Sequence, residues 1–280
     1  MRTIRTFILL LTLVAAFALE AKEKIKLTIL HTNDTHSQVE PTDVSTLKTS
    51  DMGGYARRIG MINKIKSEEP NVLLLDAGDF SQGTAYFNFF NGRIEVDAMN
   101  KMKYDAVTLG NHEFDNGIDT LAVILKNAKF PVISSNYDVS NTPIANYVKP
   151  YLILEKFGLR IGIMALNIQP KSLIIESNYR GLTYSDPIVE ANKMSKFLKL
   201  NKKCDLIICL SHLGSDAKAK EVNDFQVARE TRYIDVIIGG HSHTLLDNAK
   251  ETNRNGKQVV IAQVAKSGWY LGKIELELLK

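Results

Sequence analysis

The chain has 280 residues, of which 45% are hydrophobic and 24% charged, a balance that suits a packed core and excludes a disordered or low-complexity chain. Lys and Arg number 35 against 31 Asp and Glu. That near-neutral balance gives no basis for nucleic-acid binding or for adhesion to an acidic membrane surface.

The first residues read as a targeting segment. Arg2 and Arg5 precede the apolar run Phe7 to Leu19, with small residues at Ala16 and Ala18 and polar residues from Glu20 onward. This is the pattern of a secretory signal peptide over residues 1–21, and the apolar run is short of the ~20 residues that span a bilayer. An exported chain, periplasmic or extracellular, is the expectation, with no stable membrane span after cleavage; an uncleaved anchor or a buried first helix is the alternative. Without residues 1–21 the charge count becomes 33 against 30, because Arg2, Arg5 and Glu20 leave it.

From residue 22 the pattern repeats: a short run rich in Val, Ile and Leu, then a loop of Gly, Asn, Asp and His. Ile25–Leu30 precedes HTNDTH, Val72–Leu75 precedes DAGDFSQGT, and Ala106–Leu109 precedes GNHEFDNG. Leu206–Leu210 precedes SHLG, and Val236–Ile238 precedes GGHSHT. Such runs read as buried strands, and Gly60–Glu69, Asp119–Lys129 and Pro187–Leu200 carry apolar residues at helical spacing between them. The alternation predicts a layered α/β domain over residues 22–280. Two hairpins are also expected: Tyr147–Phe157 with Leu159–Leu166, and Gln258–Val264 with Trp269–Leu279. The cysteines, Cys204 and Cys209, lie five apart in KKCDLIICLSH. On a strand they fall on opposite faces, about 16 Å apart, beyond disulfide reach, which leaves them as small core residues.

All six histidines, His31, His36, His112, His212, His241 and His243, fall at the five strand-to-loop junctions. Loops that follow strands of one sheet edge converge where ligands bind in open α/β sheets. Neutral imidazoles and carboxylates that converge there suit a first-row divalent metal.

DTH at 34–36, GDFSQGT at 78–84, GNHEFDNG at 110–117, SHLG at 211–214 and GHSHT at 240–244 resemble the five signature blocks of calcineurin-like metallophosphoesterases. TNDTH, GGYAR at 53–57 and NHEFDNG are similar to the branch of 5'-nucleotidases, UDP-sugar hydrolases and 2',3'-cyclic phosphodiesterases. The resemblance implies an α-β-β-α sandwich of two mixed sheets flanked by helices. It implies two divalent ions of the Zn, Mn, Co or Fe type. One would be held by Asp34, His36 and His243, the other by Asn111, His212 and His241, with Asp79 bridging. Some members of the branch carry Gln where this chain has His243.

The implied chemistry is hydrolysis of a phosphate ester, foremost a nucleoside 5'-monophosphate, by in-line attack of a hydroxide that bridges the metals. His112, oriented and kept cationic by Asp115, would stabilise the transition state or protonate the leaving oxygen, and Asn111 and His112 would contact the substrate. The same blocks serve cyclic phosphodiesterases, UDP-sugar hydrolases and thiosulfohydrolase-like enzymes. Outside enzymes, the alternatives are a non-catalytic metal-binding subunit of a split nucleotidase and a nucleotide-binding module. Members of the branch usually carry a C-terminal domain that binds the base, so a separate chain with that domain is an expected partner.

Four further readings concern residues outside the ligand set. His31 is expected to make a structural hydrogen bond rather than to bind metal. Arg57 either pairs with an acid under the site or is a charge on a helix face. The aromatic cluster Tyr86, Phe87, Phe89 and Phe90 is expected to pack on the core, with a substrate surface as the alternative. Gly78, Gly110, Gly239 and Gly240 would let backbone approach the metals closely.

Overall fold

A computed structural model describes residues 24–43, 48–171, 173–216 and 221–279. The expected signal peptide, residues 1–21, lies outside the described residues.

The first half of the chain builds β1 (Lys24–Thr32), α1 (Tyr55–Glu68), β2 (Val72–Asp76), α2 (Ala85–Phe90), α3 (Arg93–Met102), β3 (Ala106–Thr108), α4 (Ile118–Leu125), β4 (Val132–Ile133), β5 (Tyr137–Asp138) and β6 (Val148–Lys149). The second half builds β7 (Leu152–Lys156), β8 (Leu159–Asn167), β9 (Thr183–Tyr184), α5 (Pro187–Lys196), β10 (Leu206–His212), α6 (Asp224–Glu230), β11 (Val236–Gly239), β12 (Leu245–Thr252), β13 (Gln258–Val264) and β14 (Gly272–Leu279). One sheet runs β14-β1-β2-β3-β4-β6 and the other β12-β13-β11-β10-β8-β7, while β5 and β9 pair separately. Both large sheets are mixed: β1, β2 and β3 are parallel, as are β8, β10 and β11, and the edge strands β14, β12 and β7 are antiparallel to their neighbours.

The two-residue period of each strand divides its side chains between layers. In β2, Leu73 and Leu75 join the apolar layer between the sheets, whereas Val72 and Leu74 face α1, α3 and α4. In β10, Leu206, Ile208 and Leu210 face the other sheet, and Ile207 and Cys209 face α5 and α6. Three apolar layers thus hold a helix–sheet–sheet–helix stack. Strands buried on both faces read as unbroken apolar runs, which is why they were legible.

The hairpin expected at 147–166 forms from β7 and β8, turning through Phe157 and Gly158, both at positive φ. The hairpin expected from Gln258–Val264 and Trp269–Leu279 does not form. β13 pairs with β12 in one sheet, while β14 crosses to the other and pairs along the whole of β1, from Lys24 with Leu279 to His31 with Gly272. Alternation along a strand records which faces it covers and carries no information about its neighbour. α1 starts before the expected helix, directly after Gly53 and Gly54, both at positive φ. α5 ends in a wider π turn over Phe197–Asn201. Cys204 precedes β10, so strand alternation does not separate it from Cys209; both are free and buried in the same outer layer.

Candidate dinuclear metal centre

The ends of five parallel strands bring the predicted residues together. Asp34 and His36 follow β1, Asp79 follows β2, Asn111, His112 and Asp115 follow β3, His212 closes β10, and His241 and His243 follow β11. Loop 34–37 is laced to the loop after β2 by backbone bonds, Asp34 N–H to Gly78 O (2.8 Å) and His36 N–H to Asp79 O (3.0 Å). His241 N–H donates to the Asp34 carboxylate at 3.0 Å, which ties the first sheet to the second.

Asp34, His36, Asp79, His241 and His243 all have φ between 46° and 70°. Left-handed backbone costs a non-glycine residue about 1–2 kcal/mol. Five of seven expected ligands held this way means that the surrounding contacts, not local preference, set their direction. Glycines clear the space around them. A Cβ at Gly110 would fall 2.0 Å from Asp79 Oδ1, and one at Gly240 would fall 2.7 Å from His212 Nδ1. At both positions the crowding is against expected ligand side chains.

Two clusters result, Asp34 with His36 and His243, and Asp79 with His212 and His241, each with its ligand atoms within 4.8 Å of one another. In the first, His36 Nε2 and His243 Nε2 are 2.9 Å apart and Asp34 Oδ1 is 3.4 Å from His243 Nε2. In the second, His212 Nε2 is 3.0 Å from Asp79 Oδ2, and Asn111 Oδ1 is 3.0 Å from His241 Nδ1.

The donors fit divalent cations. His212 Nδ1–H donates to Ala77 O at 2.7 Å, which turns the buried Nε2 toward Asp79 Oδ2 at 3.0 Å. An imidazole fixed by a carbonyl at one nitrogen, with its other nitrogen facing a carboxylate, is the arrangement of a metal-binding histidine. Burial lowers the pKa of His36, and lowers that of His241 to about 4, so both are neutral with a lone pair to give. Burial also opposes charge on the Asp79–His212 pair, but their attraction wins: His212 rises to about 10 and Asp79 lies below the usual carboxylate range. The pocket therefore holds positive charge beside Asp79, as a proton when nothing else supplies it.

His112 stands at the rim. Its backbone N–H donates to Asp79 Oδ1 at 2.9 Å, and its Nδ1 lies 2.8 Å from Asp115 Oδ2. The bond to Asp115 raises His112 to about 9 despite partial burial, so the ring is cationic at neutral pH. Its ring centroid is 5.4 Å from that of His36. A cavity of about 530 Å³, lined in part by Leu213, Gly214, His241 and Ser242, opens beside the second cluster.

Sequence reasoning gave Glu113 no role. It is buried, and its carboxylate accepts backbone N–H bonds from Asp79 (3.0 Å), Ser81 (3.0 Å) and Gly110 (2.5 Å), which joins the loops that carry Asp79 and Asn111. A carboxylate amid glycines whose amides need acceptors was the available signal. Arg57 is exposed and pairs with Asp51 at 2.8 Å; the buried arginine is Arg58, 6% exposed and packed against Gly268. His31 is buried away from both clusters, and the expected hydrogen bond is absent at Nδ1, which has no partner. Of the aromatic cluster only Phe87 packs inside: Phe89 is 78% exposed and Phe90 45%.

Two sheets whose strand ends present paired His/Asp clusters define the class of dinuclear metallohydrolases. Residues 27–245 match the calcineurin-like phosphoesterase family, and the chain belongs to it. The human 5'-nucleotidase is 36% identical over 279 residues, which cover 90% of this chain and 46% of that protein. The snake venom 5'-nucleotidase of Crotalus adamanteus is 35% identical over 281 residues, 91% of this chain and 46% of that one. Among solved structures, the NAD nucleotidase of Haemophilus influenzae superposes with a TM-score of 0.81 at 30% identity, over 92% of this chain and 49% of its own. The chain spans about half the length of the curated relatives it matches. Among the described residues no helix is long and apolar enough to cross a membrane.

Proposed function

We propose that this chain hydrolyses phosphate monoesters, nucleoside 5'-monophosphates foremost. The observation that carries the reading is the pair of His/Asp clusters with cationic His112 beside them. Asp34, His36 and His243 would hold one divalent ion, and Asn111, His212 and His241 the other, with Asp79 between them. Bound there, the ions supply Lewis acidity, which polarises phosphoryl oxygens and lowers the pKa of water.

The remaining work falls to the chain. His112 and Asn111 flank the phosphoryl position, and the His112 cation offsets charge that builds on its oxygens. The Nε2 proton of His112 passes to the leaving oxygen, while Asp115 keeps the ring oriented through Nδ1. The cavity beside His241 leaves room for a leaving group larger than the phosphate. Nucleotide as substrate is supported by relatives named 5'-nucleotidase. Contacts that discriminate among leaving groups would come from the part of those relatives that this chain does not match, on the same polypeptide or on a second one. Export is supported by the Arg2 to Ala21 pattern and by relatives from venom.

The test is a panel of AMP, 2',3'-cyclic AMP, UDP-glucose and an aryl phosphate on protein reconstituted with Mn²⁺ or Zn²⁺. Metal-dependent turnover of the monoesters is expected. Two bound ions without turnover of any of the four would refute the reading.

A further inference from the structure

Gln263 is the one amide side chain on β13 inside the apolar stack, and it is fully buried. A buried amide must find partners for two N–H donors and an oxygen. Gln263 finds four. Nε2 donates to Gly240 O (2.8 Å) and to Ser215 Oγ (3.0 Å). Oε1 accepts from Thr244 N–H (2.5 Å) and from Ser242 Oγ (3.1 Å). The amide can face only this way, because a carbonyl can only accept and a backbone N–H can only donate.

Three of those four contacts are residues 240, 242 and 244, which alternate with His241 and His243. The two histidines belong one to each cluster, and both are left-handed, at φ 70° and 53°. Two strained residues separated by one hold their shape only where their neighbours are fixed. Ser242 is held by two further bonds, since its Oγ also accepts from Ser215 N–H at 2.9 Å and lies 2.9 Å from Thr244 Oγ1. Ser215 in turn lies just beyond β10, whose last residue is His212.

We propose that Gln263 is a positioning residue that sets the spacing of His241 and His243, and through them the separation of the two metal sites. The proposal rests on the metal reading of the clusters, and it assigns to one side chain a common hold on both. Its loss weakens the two sites together, where loss of any single ligand acts first on its own site. Side chains behind metal ligands typically matter by about 10–100-fold in affinity.

The experiment uses Gln263→Met, close in volume but without the four bonds, and Gln263→Glu, which keeps the acceptor and sets an oxygen against Gly240 O. Mn²⁺ isotherms and EPR of the Mn²⁺-saturated protein are measured beside thermal unfolding of the metal-free form. For Gln263→Met both sites weaken by roughly 10–100-fold and the exchange-coupled signal of a close Mn²⁺ pair is lost, with Gln263→Glu weakened in the same sense. A Gln263→Met protein that binds two Mn²⁺ with affinities within about twofold of wild type and a coupled signal overturns the proposal, whatever its unfolding temperature. Weakening of one site alone overturns it too. If Gln263→Met does not fold, Ser242→Ala deletes one of the four bonds; both sites must still weaken, and unchanged affinities overturn the proposal. Wild-type protein that takes up no Mn²⁺ would instead overturn the metal reading beneath it.

Discussion

His31 and His212 sit at the ends of β1 and β10, one in each sheet, and both are wholly buried. Their surroundings drive them in opposite directions. His31 lies in the seam between β1 and β14, against Gly272, where a Cβ would fall 2.1 Å from its Nε2, and burial alone pushes it down to about 4. His212 pays the same desolvation, but Asp79 at 3.0 Å and the Ala77 carbonyl reverse it, to about 10. Burial is equal at the two places, so the partner decides. The seam is built to exclude charge. The loop face is built to hold positive charge at depth, and it does so with side chains that are also competent metal ligands.

The largest expected effect comes from removing what distinguishes them. Asp79→Asn keeps the shape and deletes the charge that faces His212. On the proposed bridging role of Asp79, the turnover of an aryl phosphate falls by roughly 10⁴ or more and metal content drops below two ions per chain. Retention of both ions, measured by elemental analysis, would mean that Asp79 does not join the clusters.

His112 tests the comparison at the rim, where burial is partial and one carboxylate suffices. Both His112 and Asp115 have side chains about one-third exposed (33%), and the bond between them keeps the ring cationic. His112→Ala lowers kcat by roughly 10²–10⁴ while the metal content stays at the wild-type value. Parallel loss of metal and rate would make His112 a ligand, contrary to its placement outside both clusters.

How much of this was legible follows from where the partners lie. The convergence of the six histidines could be read because all lie at junctions that follow apolar runs, and parallel strands deliver such junctions to one edge. Asp34, His36, Asp79, Asn111, His212, His241 and His243 as a ligand set came instead from the resemblance of the five loop motifs to the family's blocks. The layered α/β domain was readable from the alternation of runs, and its division into two mixed sheets only from the resemblance. Glu113 and Gln263 were not readable, because their partners lie on other loops: Glu113 binds backbone N–H groups at 79 and 81, and Gln263 binds the Ser215 hydroxyl and the Gly240 carbonyl. The pairing of β14 with β1 joins residues from opposite ends of the chain, and strand periodicity says nothing of it. Arg57 and Arg58 are neighbours on α1, and only helix phase buries one and exposes the other.

Glu113 bears on the loop face alone. Glu113→Ala leaves three backbone N–H groups without their acceptor, so the metal-free protein loses on the order of 4 kcal/mol in urea unfolding. A loss under about 1 kcal/mol would mean that water or a shifted neighbour replaces the carboxylate at little cost.

The smallest effect tests the other side of the comparison, the dry seam. His31 is neutral in the folded chain down to about pH 4, whereas a histidine in the unfolded chain takes its proton near 6.5. Between those values the unfolded state binds more protons, so stability is full above pH 6.5 and declines as pH falls toward 4. One pKa unit corresponds to 1.36 kcal/mol, which makes the total decline about 3 kcal/mol and the part reached by pH 5 about 2 kcal/mol. His31→Met fills the seam with an unbranched apolar side chain that has no proton to gain. Urea unfolding of both proteins at pH 7.5 and pH 5, with EDTA present so that metal release adds nothing, isolates the difference. The wild type is expected to lose about 2 kcal/mol more than His31→Met over that interval. Equal losses would show that the seam accepts a proton without resistance. The contrast with His212 would then rest on Asp79 alone, with burial contributing nothing to either.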